Sequence, residues 1–580
     1  MNKKLKKYSI AITDYKDNHN EHLTPLQNKI LNNRINNDFE TDYVYPGLDI
    51  TKDMYTLKDL DKAGELFAKH IKNGSKIAVA VDSDSDGINS GAVVSLALTN
   101  IFGLVEDRDF VMFVNRRRQG NGFNKTLVSR IVEAHKEYNF SLVTTFDHGS
   151  SDNIPLRTFI DLGMEVLLTD HHEIPKDNYP ESATVFVNNQ RSDSEYTTGV
   201  SGCFIGLLTM IATYDKLYGN IDIEKFYFLY PNVAITTISD VMPLNIPINR
   251  AMVHYGMNEM NSSRNFIWEV LKELLGINTI VDSTEIGFKL APLINTANRV
   301  NSEDLAYYML TAKTDLDCRV NAVKLIKLSK YRKAEQKKLY KDAVNQVLSS
   351  PYKNTITLLL ESPLAIGGII SGQIGETYNT PTVCFLMDDS GNLTGSGRGI
   401  FEELDLVHVF RKIHEEDDSI FVKFGGHRMA AGSTIKPEKY ELFRKLFDKY
   451  VSEQIGSLES SKMLYIDEYL DNDDITPNIV KEIALLEPYG KDWLQPTFAT
   501  TIKLKYYNIY GSMGRFVFKT NKGRELEAMY FFNKNSTYSS REITEMIRNG
   551  DRVMIVFKIA INNFNKKTNL QLNLVDVRKL

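Results

Sequence analysis

Two short apolar runs in this chain each stop at a cluster of acids and imidazoles. Lys76-Ile-Ala-Val-Ala-Val81 ends in Asp82-Ser-Asp-Ser-Asp-Gly87, and a run through Val166-Leu-Leu168 ends in Thr169-Asp-His-His-Glu173. A strand that is apolar without alternation is buried on both faces, which calls for a parallel sheet with helices on either side. Ligands of such sheets collect beyond the carboxyl ends of the strands. Asp82, Asp147 and Asp170 each follow an apolar run directly or within one residue, so the pattern gathers them at one edge. Between 61 and 190 the helical signals near 61–72, 88–101, 125–137 and 155–162 alternate with strand signals at 76–81, 110–114, 141–146, 165–169 and 183–187, as an α/β domain requires.

Asp82, Asp84 and Asp86 at alternate positions repel one another at neutral pH, and cations are the usual remedy. A helix cap would use one acid, not three. An EF-hand would need Glu at loop position twelve, where this chain has Val93. Asp170, His171 and His172 resist a core explanation, because adjacent buried imidazoles beside an acid seldom serve packing alone. In the metal reading His171 is a ligand, Asp170 orients a ring from behind, and His172 faces the substrate as proton donor or phosphate contact. Asp147 in TFDHG and Asp240 in SDVMP complete a set able to bridge two ions. The apolar run before Asp240 reads equally as strand or helix. Carboxylates with imidazoles suit Mn²⁺ or Mg²⁺ better than Zn²⁺, since no thiolate sits nearby. Paired divalent ions serve in-line displacement at phosphorus, so phosphoryl chemistry is the natural assignment.

The 580 residues exceed what one core serves and predict three or four domains. A net charge of -5 gives no global sign of a nucleic-acid partner. Local charge differs from the average: residues 321–341 carry eight Lys/Arg against one acid, Glu335. Residues 500–580 carry fifteen Lys/Arg against six acids, interleaved with Tyr506, Tyr507, Tyr510, Phe516, Phe518, Phe557 and Phe564. Such a mixture suits single-stranded nucleic acid, and equally a solvated face. Cys203, Cys318 and Cys384 lie far apart, without disulfide or zinc spacing. No stretch reaches membrane-spanning length, and a cytoplasmic location is expected.

Residues 1–60, polar and Asn-rich, read as an irregular or partly helical lead-in. Residues 302–348 lack Gly and Pro and read as one or two long helices joining two lobes. From 354 to 450 a second α/β pattern carries glycine clusters at 367–368, 395–399 and 425–426, with Arg398, His427 and Arg428 beside them for phosphate oxygens. After 460 come short strands with turn signals at 521–523 and 562–567, predicting a small β-barrel.

DSDSDG, FDHG, TDHH and SDVMP resemble the four motifs of the DHH phosphoesterase superfamily, and GGHRMAAGSTI at 425–435 resembles its DHHA1 module. VNNQ at 187–190, VSGC at 200–203, APLINTANRV at 291–300, LEPYG and the terminal KIAINNFNKKTNLQLNLVDVR extend the likeness to the RecJ family of single-strand-specific exonucleases over nearly the whole chain. The resemblance implies a parallel-sheet DHH domain at 61–300 after an extension at 1–60. A connecting long helix at 301–350, a smaller α/β DHHA1 domain at 351–458 and an OB-type β-barrel at 459–580 follow. It implies 5′-to-3′ degradation of single-stranded DNA to 5′-mononucleotides with two Mn²⁺ or Mg²⁺ ions, in recombination and repair. The protein would act as a monomer, with a helicase and a single-strand-binding protein as partners and without a membrane. Asp82, Asp84, Asp86, Asp147, His171 and Asp240 would be the metal-ligand pool, with His172 catalytic beside Asp170. Asn115, Arg116, Arg299, Arg398 and His427 would face the DNA, as would Ser371 and Gln373. The chain departs from the family at three places. Ser83 and Ser85 interrupt the first motif, and Gly399 removes a hydroxyl from GSxRS. Ser371-Gly372-Gln373 stands where Ala-Ser-Arg is usual, which predicts weaker dependence on a 5′ phosphate. Two rival functions are a DHH phosphodiesterase acting on short oligonucleotides and a non-catalytic replication scaffold.

Overall fold

The structure, a computed structural model, describes residues 9–12, 21–35, 43–44, 46–48, 54–175, 178–352, 354–388, 390–401, 403–456, 463–510, 513–531, 538–549, 552–564 and 567–580. It forms two compact units: Gly47–Gly456, and Met1–Pro46 combined with Ser457–Leu580.

The second of these begins the chain. Strand β1 (Ser9–Ile12) pairs in parallel with a strand some 450 residues later, Met463–Ile466. The helix Pro25–Arg34, capped by Thr24, is tied to the same distant segment where Arg34 Nε donates to Asp467 at 3.0 Å and Gln27 Nε2 donates to the Glu482 carbonyl at 2.9 Å. The N-terminal segment is therefore no lead-in to the α/β domain. Its polar composition hid a main-chain pairing and side-chain bonds that leave no periodic trace in sequence.

In the larger unit five parallel strands run β2 (Ile77–Val81), β3 (Phe110–Val114), β4 (Leu142–Phe146), β5 (Glu165–Asp170) and β6 (Val185–Asn188), in the order β3-β2-β4-β5-β6. Alternate residues serve the two faces. Ala78, Ala80, Val143, Val166 and Leu168 join a core with Leu127 and Ile131 of the helix Lys125–Tyr138 and with Leu156 and Phe159 of the helix Asn153–Asp161. The opposite face is covered by the helices Ser85–Asn100 and Gly202–Tyr218, which are buried along most of their length. Both faces being dry explains why the strands show no alternation. Because β3 lies on one side of β2 and β4 on the other, the chain diverges there and leaves a crevice at the carboxyl ends.

A short helix, Glu303–Leu310, precedes the 35-residue helix Asp315–Ser349, which Thr314 caps and Asp315 and Asp317 favour electrostatically in the first turn. It leads to a sheet of five strands: β7 (Ile356–Leu360), β8 (Thr382–Met387), β9 (Leu393–Arg398), β10 (Phe421–His427) and β11 (Ala430–Ile435), in the order β10-β11-β9-β8-β7. Only β7 and β8 are parallel.

The C-terminal strands are β12 (Met463–Ile466), β13 (Glu468–Tyr469), β14 (Phe498–Tyr510), β15 (Met513–Lys519), β16 (Glu525–Phe531), β17 (Arg552–Phe564) and β18 (Lys567–Lys579). β14 pairs with both β15 and β17, and β18 bridges β16 and β17, so the sheet closes into the expected barrel. Gly523, at φ 84, makes the turn predicted at 521–523. Of the turn at 562–567, Asn565 and Lys566 lie outside the described residues. Phe516, Phe518 and Phe557 belong to the barrel core, whereas Tyr510 is exposed and Tyr507 partly so. The side chains of Tyr506 and Phe564 lie outside the described residues. No helix among the described residues is long and apolar enough to cross a membrane.

Phe159 is fully buried with its ring 5.0 Å from that of Phe123, so Phe159→Ala removes packing that holds a sheet face. The expected loss is about 3–5 kcal/mol, read as a fall in the denaturant midpoint of the transition that includes the α/β unit.

Candidate active site

Asp82 leaves β2 and the chain enters the helix Ser85–Asn100 within three residues. Asp84 caps that helix, accepting from the amides of Asp86 at 3.0 Å and Gly87 at 3.3 Å. One acid therefore does cap, and the other two are free of that task. Gly87 is required: a Cβ there would stand 2.4 Å from the Asp82 carbonyl oxygen. Asp86 is held by a different helix. Its two oxygens accept from the amides of Gly202 at 2.7 Å and Cys203 at 2.9 Å, at the N-terminus of Gly202–Tyr218, where the dipole favours an anion. A Cβ on Gly202 would lie 2.6 Å from Asp147 Oδ1, so that glycine permits the carboxylate to approach the helix end.

Asp147 follows β4 in the left-handed region at φ 70, a conformation that Asp tolerates better than most residues. It is almost fully buried, and its Oδ1 makes no hydrogen bond. Asp240 ends the helix Tyr230–Ser239. The helix is closed by the Met242 amide donating to the Thr237 carbonyl at 2.9 Å, with Val241 at φ 57 in the position usually given to glycine. A carboxylate at a helix C-terminus meets the unfavourable end of the dipole, which makes a nearby cation still more useful.

His171 joins these strand and helix ends. Its Nδ1 donates to the Val200 carbonyl at 2.9 Å, which leaves Nε2 as the ring nitrogen free to ligate. Nε2 stands 3.2 Å from Asp147 Oδ1 and 3.6 Å from both Asp86 Oδ2 and Asp240 Oδ2. Three overlapping triplets, Asp82/Asp84/Asp147, Asp147/His171/His172 and Asp86/His171/Asp240, each bring their donor atoms within 4.8 Å of one another.

Burial and the charge of Asp84 push Asp82 up to about 6, and burial and Asp86 push Asp240 up to about 7. Burial likewise raises Asp147, reinforced by Asp86 and Asp84. The group cannot be fully ionised and dry without positive charge among it. Asp82 Oδ1 is a second buried carboxylate oxygen with no partner. Hard oxygens with an imidazole, two of the oxygens unsatisfied, fit a pair of divalent cations of the Mn²⁺ or Mg²⁺ kind.

Asp170 serves the imidazoles. It accepts from the amides of Ser150 at 2.9 Å and His171 at 2.8 Å, and from His172 Nδ1 at 2.8 Å. Burial raises its carboxyl, yet the His172 ring outweighs that and holds it well below the usual carboxylate range. Burial lowers the His172 ring in turn, but Asp170 dominates and pushes it up to about 10. The His172 side chain is 49% exposed, so this oriented ring remains accessible.

A cavity of about 140 Å³ is lined by Asp84, Asp86 and Asp240 together with Arg117, Asn298 and Arg299. Asn115 is buried and orders the loop after β3, donating to the Gly122 carbonyl at 3.0 Å and accepting from Asn124 at 2.8 Å. Arg116 pairs with Glu303 and Asp304, while its neighbour Arg117 lines the cavity. Sequence reasoning did not single out Arg117 or Asn298. The run Arg116-Arg117-Arg118 signalled a basic loop, but only side-chain geometry separates its members. Asn298 gave no signal; it is fully buried with neither amide atom hydrogen-bonded.

The smaller lobe contributes Arg398, which a Cβ on Gly368 would approach to 3.3 Å, and His427, 3.8 Å from Glu173 just after the paired histidines. Gly426 adopts φ 134 with Ala430 O where a Cβ would be 2.5 Å away, so it holds the turn that presents His427. Ser371 and Gln373 are not brought to the acids. The Ser371 hydroxyl is buried and donates to the Gly368 carbonyl at 3.2 Å. Gln373 lines a separate cleft with Lys333, Gln336 and Lys337.

Family models match three segments: the DHH family N-terminal domain over residues 76–228, the DHHA1 domain over 362–453 and the RecJ OB domain over 466–576. The single-stranded-DNA-specific exonuclease RecJ of Haemophilus influenzae is 26% identical, over 99% of this chain and 99% of that protein. That of Escherichia coli is 25% identical over 89% of each. The crystal structure of RecJ in complex with Mn²⁺ from Thermus thermophilus shares the fold, with a TM-score of 0.78 at 22% identity, covering 96% of this chain and 76% of that one.

Gly202→Ala would drive Asp147 off the helix end. Addition of Mn²⁺ is expected to raise the melting temperature of the unsubstituted protein, and that rise should vanish in Gly202→Ala while circular dichroism stays native.

Proposed function

The chain is a RecJ-like member of the DHH/DHHA1 phosphoesterase superfamily, and on that premise we propose that it is a metal-dependent exonuclease that degrades single-stranded DNA from its 5′ end to 5′-mononucleotides, in recombination and repair. The observation that carries this reading is the convergence of Asp82, Asp84, Asp86, Asp147, His171 and Asp240 at a cavity that Arg117, Asn298 and Arg299 also line. Acids to hold cations stand next to cations and amides able to hold a phosphate.

In this proposal Asp82, Asp84 and Asp147 hold one ion, and Asp86, His171 and Asp240 the other. Two divalent cations bound there would supply an activated water and offset charge on the entering and leaving oxygens. The protein's own groups do the rest. Arg299 and the unsatisfied Asn298 amide bind non-bridging phosphate oxygens and fix the scissile bond against the acids. Asp170 fixes the His172 ring through Nδ1, and the ring either donates a proton to the departing O3′ or contacts the phosphate. Arg398 and His427 contact the backbone from the smaller lobe. Asn115 acts through the loop it orders, and Arg116 anchors that loop to Glu303 and Asp304. Ser371 and Gln373 hold the helix and cleft that border the strand's path.

The RecJ OB domain match and the exposed lysines of the long helix favour an extended single strand as substrate over a short oligonucleotide. Restriction to single strands makes a strand-separating helicase and a single-strand-binding protein the natural partners. A monomer in the cytoplasm completes the proposal.

The test is digestion of end-labelled single- and double-stranded DNA with Mn²⁺, Mg²⁺ or chelator. Mononucleotides should leave the 5′ end of the single strand only, and chelator should stop the reaction. Asp84→Ala and His171→Ala should each lower the rate by at least roughly 100-fold with DNA binding kept. Unchanged rates in these variants would refute the assignment.

A further inference from the structure

Asn249 lies in the first turn of the helix Pro247–Asn261 and is only 2% exposed. A buried amide is costly unless its hydrogens find acceptors. Those of Asn249 find two: Nδ2 donates to the Gly199 carbonyl at 2.8 Å and to the Pro243 carbonyl at 3.0 Å. Both acceptors are main-chain oxygens, so the two bonds tie one stretch of backbone to another.

Each of these carbonyls adjoins a candidate metal ligand or its support. Gly199 precedes Val200, whose carbonyl holds His171 Nδ1, and the amides of Gly202 and Cys203 just beyond hold Asp86. Pro243 ends the turn Asp240-Val-Met-Pro243, which the Met242 amide closes onto the Thr237 carbonyl. Two of the three ligands proposed for one ion thus depend on the segment 199–203, and the third on the turn. A second tie runs the same way: Ser201 Oγ lies 2.9 Å from Thr236 Oγ1, on the helix that presents Asp240. Val200 is therefore fixed through both of its neighbours. The two segments pass so closely that a Cβ on Gly199 would lie 3.9 Å from Pro243 Cγ.

Spacing is what this tie controls. His171 Nε2 stands 3.6 Å from both Asp86 Oδ2 and Asp240 Oδ2. A metal site holds its ligand distances to within about 0.2 Å, so a slip of one segment past the other would draw Asp240 away from the other two. Asp82, Asp84 and Asp147, the set proposed for the other ion, follow β2 and β4, and neither bond of Asn249 goes to their segments. Loosening the tie should weaken one ion and spare its neighbour.

We propose that Asn249 is a positioning residue for the ion held by Asp86, His171 and Asp240, setting the distance between the segment that supports the first two and the turn that carries the third. It acts through the main chain, not on the ion. The inference rests on the exonuclease reading and its two ligand sets.

The test is Mn²⁺ binding to the whole chain by titration calorimetry, with the Mn²⁺ concentration that half-saturates nuclease activity as a second readout. The unsubstituted protein should take up two ions. Asn249→Ala should bind one with unchanged affinity and the other roughly tenfold or more weakly, the usual effect of losing a group that orients ligands from behind. Its half-saturating Mn²⁺ should rise by a similar factor, with the rate recovering at saturating Mn²⁺. Asn249→Ser, which keeps one donor, should fall between. Phe159→Ala, which loosens the far face of the sheet, should lower the melting temperature and leave both affinities alone. Two ions bound by Asn249→Ala as tightly as before, or both weakened alike, would make Asn249 a packing residue and overturn the inference with the exonuclease left standing. The same selective loss in Phe159→Ala would trace it to stability and overturn it too. Fewer than two ions on the unsubstituted protein would overturn the ligand sets themselves, and the inference with them.

Discussion

The structure depends on one electrostatic conflict: acids from three different parts of the chain are buried within a few ångströms of one another and cannot all be charged there unaided. Asp82, Asp86, Asp147 and Asp240 are each raised by burial. A fold does not retain such an arrangement for stability, because replacing buried charges by apolar groups is usually neutral or favourable. The conflict makes sense as a cation site, and much of the α/β unit is organised around keeping it.

Three devices hold the acids in place. The parallel sheet delivers Asp82, Asp147 and Asp170 to one edge because its strands stop in step. Helix ends then fix individual carboxylates: Asp84 caps its own helix, and Asp86 is gripped by the amides that begin Gly202–Tyr218. Glycines at 87 and 202 remove the atoms that would collide with these groups. Arg117 and Arg299 line the same cavity as Asp84, Asp86 and Asp240, so a phosphate there would meet guanidiniums beside the cation site.

The strand ends were legible in sequence because burial on both faces writes itself as an uninterrupted apolar run, and the acids follow that run directly. Asp240 was harder: its apolar run proved to be a helix, since a ten-residue segment buried at its first eight positions carries no period that separates the two. Arg116 and Arg117 could not be told apart, because a loop has no periodicity to say which side chain faces inward. Arg332 looked like one more member of a solvated basic face until the helix showed it on the buried stripe. The N-terminal strand was invisible for another reason, as main-chain pairing with a segment 450 residues away depends on no local pattern. What sequence conveys well here is local burial and ligand type; what it conveys poorly is which of several similar side chains is turned inward.

Anomalous diffraction from a crystal equilibrated with Mn²⁺ tests the central claim most directly. The account requires two manganese peaks, one contacted by Asp82, Asp84 and Asp147 and the other by Asp86, His171 and Asp240. A single peak elsewhere, or none with these side chains turned apart, would contradict it.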